Sequence, residues 1–241
     1  MASPIVITSS NNIASSSDER PNLALFFDVE TTGLIPKGVL IAKGDISLEL
    51  LPYILQLSFI VWNMDTNRVE SQYNTYINIP SKIRILPEIE KLTGVTREKC
   101  NHGVVVTEAL DKLYEAYIRC NTIVAHNIEF DSNMIRIELA RNSGRKTRHL
   151  GDLLNTGYEK STNKLRYCTM AKSVELCNIL VQAIDKRGQP YQYKKFPKLS
   201  ELFEKLFGSV PENLHDSMVD TIACLKCYMK LRFDKDVSID I

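Results

Sequence analysis

Leu23, Leu25, Phe26 and Phe27 form an apolar run that leads into Asp28-Val29-Glu30-Thr31-Thr32-Gly33. This stretch constrains the chain more than any other. Its apolar, β-favouring content suits a buried strand, and a glycine-marked turn follows it. In a strand, residues i and i+2 point to the same face, so Asp28 and Glu30 stand side by side at the strand's end. Two adjacent carboxylates beside a hydrophobic core repel each other and need a cation or a shared proton. A divalent metal meets that need; two acids fraying into a solvated loop would avoid it. The stretch by itself leaves both readings open.

The 241 residues are 44% hydrophobic and 24% charged, ordinary values for a globular chain. No apolar run is long enough to span a bilayer, so no membrane partner is expected. Residues 1–21 are rich in Ser and Asn and read as a disordered tail, without the basic start and apolar centre of a secretion signal. The expectation is one α/β domain over residues 22–233 with a short tail over 234–241, in an intracellular protein, cytoplasmic or nuclear. Six scattered cysteines point to reduced thiols. Cys224 and Cys227 form a C-x-x-C, but inside an apparent helix and without a second ligand pair, so they read as structural thiols.

A net charge of +1 hides an asymmetry: between Arg141 and Lys198, thirteen Lys and Arg stand against four acids. A solvated surface is the plainer reading for any one of these lysines. The excess over the whole segment suits a polyanion such as a nucleic acid. Within it, Tyr191-Gln192-Tyr193-Lys194-Lys195-Phe196 alternates aromatic with polar or basic residues. Base stacking plus phosphate contact needs that mixture, and an exposed hairpin would show it too.

Residues 23–28 are expected as the first strand, followed by a loop to about Pro52 and a hairpin of residues 54–62 and 69–79. A short helix opens at Pro87 and closes at Gly94. Thr107 is the expected N-cap of a helix over residues 108–118. Residues 122–125 form a short buried strand, and the helix after it carries Asp131 near its N-terminus, where an acid also suits the helix dipole. Residues 164–169 suit a strand, 176–183 a helix, and 199–207 a helix stopped by Gly208. His215 opens a last helix over residues 216–231.

Three acidic stretches now stand together: Asp28 with Glu30, Asp131 in Ala125-His126-Asn127-Ile128-Glu129-Phe130-Asp131, and Asp220 in His215-Asp216-Ser217-Met218-Val219-Asp220. In that order they resemble the DEDDh exonucleases, the family of bacterial DNA polymerase III proofreading subunits, ribonuclease T and TREX-type exonucleases. The resemblance runs from about Leu23 to Leu231. It implies an RNase H-like mixed five-stranded sheet flanked by helices, with the first three strands antiparallel and the first strand central. It implies removal of nucleoside 5′-monophosphates from a nucleic acid with a free 3′ end, using two Mg²⁺ (or Mn²⁺) ions. By motif position, Asp28, Glu30, Asp131 and Asp220 would be metal ligands and His215 the general base. Thr31, Leu34 and Asn127 would border the substrate. Glu129 and Asp216 fall outside the pattern and are expected to face solvent or cap helices.

The chemistry agrees. Phosphodiester hydrolysis needs an activated water, in-line attack and relief of charge on the leaving oxygen; two hard cations on oxygen ligands provide both ends, and a histidine takes the water's proton. The alternative from a different class is a nucleic-acid-binding or polymerase-accessory module with little turnover of its own. A polymerase acting in trans is the protein partner the resemblance suggests; DNA or RNA as substrate, and the oligomeric state, stay open.

Overall fold

The computed structural model describes residues 21–37 and 47–239. The expected tail over residues 1–21 lies almost wholly outside them. The strands are β1 (Leu23–Thr31), β2 (Ile54–Asn63), β3 (Arg68–Tyr76), β4 (Thr122–Ala125), β5 (Leu165–Cys168), β6 (Leu180–Ile184) and β7 (Pro190–Lys194). The helices are α1 (Pro87–Thr93), α2 (Arg97–Asn101), α3 (Val106–Arg119), α4 (Ile128–Arg141), α5 (Thr156–Ser161), α6 (Thr169–Lys172), α7 (Val174–Cys177), α8 (Leu199–Phe207) and α9 (Ser217–Phe233). Among the described residues, no helix is long and apolar enough to cross a membrane.

Five strands form one sheet in the order β3-β2-β1-β4-β5. The pairs β1/β2 and β2/β3 are antiparallel, and β1/β4 and β4/β5 are parallel. The mixed sheet expected from the resemblance is therefore present, with β1 at its centre. Every residue of β1 except Asp28 and Glu30 is buried. Such a strand is held by apolar contact on both faces, at on the order of 1.5–3 kcal/mol for each fully buried Leu or Phe.

The two faces divide β1 by the strand's period of two. Leu23, Leu25, Phe27 and Val29 join a core with α3 and α4 residues such as Leu110, Leu113, Met134 and Ile135. Ala24 and Phe26 join a second core with α9, through Met218, Ile222, Leu225 and Tyr228. Tyr228 packs edge-on against Phe26 at 5.3 Å and against Tyr167 at 4.9 Å.

Several boundaries differ from the sequence expectation. β1 continues through Thr31, because β2 pairs with it to that point. β3 ends at Tyr76, and Ile77 makes only an isolated bridge to Val104. That bridge also explains why α3 starts at Val106 with Val105 as N-cap, not after Thr107. Gly103 permits the close approach: a Cβ there would lie 2.4 Å from the Tyr76 carbonyl oxygen. The helix expected over residues 176–183 is absent. Asn178 turns the chain at φ 47 and ends α7, and Leu180 begins a strand. The apolar run is short, and such a run does not distinguish strand from helix. The last helix begins at Ser217, with Asp216 as its cap and His215 before it.

Candidate active site

Asp28 and Glu30 continue the row of Ala24 and Phe26 on β1, so both face α9. β2 repeats the arrangement: Ser58 and Gln56, the ladder partners of Asp28 and Glu30, lie fully buried in a strand that is otherwise apolar up to Trp62. The acid pair thus sits at the C-terminal end of the central strand with a polar floor beside it.

Asp131 arrives from β4. The pairing of β4 with β1 stops at Phe26 and Val124. Asn127, at φ 70, then turns the chain into α4; asparagine tolerates this left-handed conformation. Asp131 is 2% exposed, and its Oδ1 accepts the backbone N–H of Val29 at 3.2 Å. The carboxylate takes the rung of the ladder that a longer β4 would have supplied. His126, just before the turn, is neutral: burial pushes it down to about 4. Its Nδ1 meets Thr169 Oγ1 at 2.9 Å and its Nε2 meets the Pro197 carbonyl at 3.1 Å.

Asp220 and His215 come with the start of α9, which is held to the sheet by hydrogen bonds. Asp216 caps the helix, accepting from the N–H groups of Met218 (2.9 Å) and Val219 (3.3 Å). Gln56 Nε2 donates to Asp216 Oδ2 at 3.1 Å, and Gln56 Oε1 accepts from Ser217 N at 3.5 Å. Ser217 Oγ donates to the Asp28 carbonyl at 2.7 Å. His215 is exposed, at φ 74, and its N–H donates to Asp220 Oδ1 at 3.3 Å. A non-glycine residue in that region stores about 1–3 kcal/mol of strain, offset here by the fixed helix behind it.

These placements bring all five expected catalytic positions to one place. Glu30, Asp220 and His215 each offer a ligand atom, all within 4.8 Å of one another. Asp28, two residues back along β1, and Asp131, in the first turn of α4, interact with them through their charges. Burial raises the Asp28 carboxyl well above the usual range, reinforced by Asp131, Asp220 and Glu30. Burial, with Asp220 and Asp131, raises Glu30 to about 8. Burial raises Asp131 to about 8 and Asp220 to about 6. Asp28 Oδ2 is buried with no hydrogen-bond partner. Four crowded carboxylates, one with an orphaned oxygen, fit hard divalent cations that take oxygen ligands.

The expected substrate-side residues are placed differently from one another. Thr31 is 8% exposed, and its Oγ1 donates to the Gly33 carbonyl at 2.7 Å, so its side chain shapes the turn. Leu34 is 82% exposed and lines a cavity of about 290 Å³ with Thr32 and Gly33. Asn127 makes the turn into α4, with no capping bond from its side chain. Glu129 is exposed and pairs with Arg166 at 3.3 Å, and Asp216 is a cap, as expected of acids outside the motifs. Cys224 and Cys227 are free and buried within α9, and burial pushes Cys227 up to about 12. His102 and His149 bond to the Glu98 carbonyl and to Asp111, away from the site.

Sequence reasoning missed Gln56 and Ser217, which dock α9 onto the acid-bearing strands. A signal existed: Gln56 and Ser58 interrupt an apolar strand at i and i+2. The reasoning also missed that the first arginine of the basic segment is structural. Arg141 pairs with Glu138 at 2.5 Å, donates to the carbonyls of Leu48, Leu51 and Pro52, and lies 3.6 Å from the centre of the Tyr53 ring. Beside it, Thr32 and Tyr53 bond reciprocally at 2.9 Å and close the loop between β1 and β2. Arg166 is likewise occupied, by both carboxylate oxygens of Glu159 at 2.8 Å.

The family model RNase_T, described as Exonuclease, matches residues 25–228. The PolC-type DNA polymerase III of Mycoplasmopsis pulmonis (strain UAB CTIP) is 28% identical over 117 residues, 48% of this chain and 7% of that protein. The 3′-5′ exonuclease DinG of Bacillus subtilis (strain 168) is 34% identical over 116 residues, 46% of this chain and 10% of that protein. The match thus spans a tenth or less of the length of either relative. Among solved structures, E. coli Exonuclease I in complex with a dA16 oligonucleotide superposes with a TM-score of 0.59 at 17% identity, covering 88% of this chain and 42% of that one. Exonuclease I from Methylocaldum szegediense gives 0.55 at 16% identity, covering 89% and 41%. At such identity these structures speak for the fold.

Proposed function

The chain belongs to the exonuclease family matched over residues 25–228, and on that premise we propose that it is a divalent-metal-dependent 3′→5′ exonuclease acting on single-stranded nucleic acid. The observation that carries the reading is the gathering of Glu30, Asp220 and His215 within 4.8 Å beside buried Asp131 and the unpartnered Asp28 Oδ2. Asp28, Glu30, Asp131 and Asp220 would hold Mg²⁺ ions, two by the family resemblance. Bound there, the cations would neutralise the scissile phosphate and lower the cost of ionising water. His215, exposed at the mouth of the site, accepts the proton of the attacking water. Water's oxygen bonds to phosphorus, the bond from phosphorus to the 3′ oxygen of the preceding nucleotide breaks, and that oxygen takes a proton from solvent water. A nucleoside 5′-monophosphate and a strand one nucleotide shorter leave. Gln56 and Ser217 keep α9, and with it Asp220, against β1. Leu34 offers an apolar contact to the terminal base, and the backbone at Thr31 and Asn127 borders it.

The single-strand preference takes support from the oligonucleotide bound to Exonuclease I in its solved structure. Matched DNA and RNA strands, single and double, labelled at either end, test it in one turnover assay with Mg²⁺. Stepwise loss from the 3′ end that disappears in EDTA and in Asp28→Ala is expected. Equal activity in Asp28→Ala would sink the proposal. A second reading, proofreading in trans to a polymerase, takes support from the similarity to part of PolC. It requires faster removal of a mismatched than a matched 3′ terminus when a polymerase is present.

A further inference from the structure

The hairpin of β6 and β7 stands outside the five-stranded sheet, and none of its residues is buried. A two-stranded hairpin is marginal alone, so its order rests on its root. Lys195 N–H donates to the Ile179 carbonyl at 3.0 Å, Lys195 Nζ pairs with Glu201 at 2.6 Å, and Lys194 pairs with Glu175. The register sets Tyr191 opposite Ala183 and Tyr193 opposite Val181, on one face. The two rings stack at 5.8 Å and 30°, and are 48% and 45% exposed. Two large aromatic rings held in order yet open to water cover no core.

The surrounding charge is positive in balance: residues 172–198 hold six Lys and Arg against two acids. Among the described residues, Lys172, Lys186, Arg187 and Lys198 have no ion-pair partner, whereas Glu175 is taken by Lys194. Asp185 Oδ1 accepts the N–H groups of Arg187 and Gln189 within the turn. The hairpin is also rooted at the edge that carries the site. β1, β4 and β5 are parallel, so their C-terminal ends share one edge of the sheet. The chain leaves that edge after β5 and returns at Pro197, whose carbonyl bonds His126 next to the Asn127 turn.

We propose that Tyr191 and Tyr193 form a stacking platform for the single strand upstream of the bond being cleaved, with Lys186 and Arg187 at the hairpin tip contacting its phosphates. The proposal deepens the exonuclease reading and rests on it for the position of the strand. Every base has a stackable face, so such a platform grips without reading sequence.

Strand binding is measured by fluorescence anisotropy in Ca²⁺ with a single strand of about 20 nucleotides, and hydrolysis in Mg²⁺ with that strand and with the p-nitrophenyl ester of thymidine 5′-monophosphate, too small to reach the hairpin. Tyr191→Ala with Tyr193→Ala should weaken strand binding about tenfold or more and leave hydrolysis of the ester unchanged. Tyr191→Phe with Tyr193→Phe keeps the ring faces and should bind within about twofold of the parent. Lys186→Ala with Arg187→Ala should reduce the slope of log Kd against log salt by about 1–2. Parent-like strand binding by the Ala pair would overturn the proposal and leave the hairpin as a surface for another protein. A loss in the Phe pair as large as in the Ala pair would also overturn it, by showing that the hydroxyls matter and the faces do not. If no form hydrolyses either substrate, the exonuclease reading fails, and the binding arm still decides the platform.

Discussion

Replacing Asp131 by asparagine should make the metal-free protein more stable, and the gain should grow with pH. Asp131 is 2% exposed, and burial pushes its carboxyl from 3.8 to about 8. The unfolded chain ionises near the lower value and the folded chain near the higher one. Between them the folded state keeps a proton that the unfolded state has released, so each rise in pH disfavours folding. Below the lower value this cost is absent, and above about 8 it levels off. At about 1.4 kcal/mol per unit, a group standing alone would lose on the order of 5 kcal/mol. Burial is the larger cause and the charge of Asp220 adds to it; the neighbouring acids readjust when residue 131 carries no charge, so the expected gain near pH 8 is about 2 kcal/mol. For a chain of this size that is roughly 4–8 °C in Tm. Asparagine can keep the Oδ1 acceptor for Val29 N–H, so the comparison isolates charge. Thermal melts in EDTA from about pH 4 to about pH 9 check it: the two proteins should converge at the acid end and separate towards the alkaline end. Saturating Mg²⁺, worth about 2.7 kcal/mol at a hundredfold excess over Kd, should raise the Tm of the parent more than that of the variant. The reasoning is refuted if Asp131→Asn is the less stable protein near pH 8, or if the parent's Tm is flat across the window.

His215→Ala should slow turnover about 10²–10⁴-fold, the range for general acid–base catalysis, while the Mg²⁺-induced rise in Tm persists. Loss of that rise along with activity would make His215 a ligand and not the base. Gln56→Leu removes the amide that joins Asp216 and Ser217 to β2; it should cost about 1–3 kcal/mol in thermal melts and lower kcat more than it raises KM. An unchanged kcat would show that α9 needs no such tether. Leu34→Ala should leave stability within about 0.5 kcal/mol, because the side chain is 82% exposed, and should raise KM for a strand. A melting shift of several degrees would show that Leu34 holds the loop instead.

The acid pair of β1 was legible because a period of two forces Asp28 and Glu30 onto one face whatever surrounds them. That Asp131 and Asp220 join them was legible only through the motif resemblance, since each lies far off in sequence and a first-turn acid has a helix-dipole explanation of its own. Local pattern failed where a long-range contact decides. The start of α3 depends on Gly103 lying against Tyr76, and β6 depends on pairing with β7, so neither is written in its own residues. Charge counting failed for a related reason. Arg141 and Arg166 add to the basic total of their segment, yet their guanidinium groups face carboxylates and carbonyls inside the fold.

The reciprocal bonds of Thr32 and Tyr53, backed by Arg141 on three carbonyls, make the two ends of the β1–β2 connection a fixed clasp. Chain inserted beyond a clasp adds only closure entropy, about 0.6 kcal/mol per doubling of length. Residues 33–37, just beyond the clasp, are therefore set apart from the acids by it. They include the exposed Leu34, so exchanging them should change the surface beside the site while the acids stay in place. The clasp would let the surface at residues 33–37 be refitted while the acid cluster stays as it is.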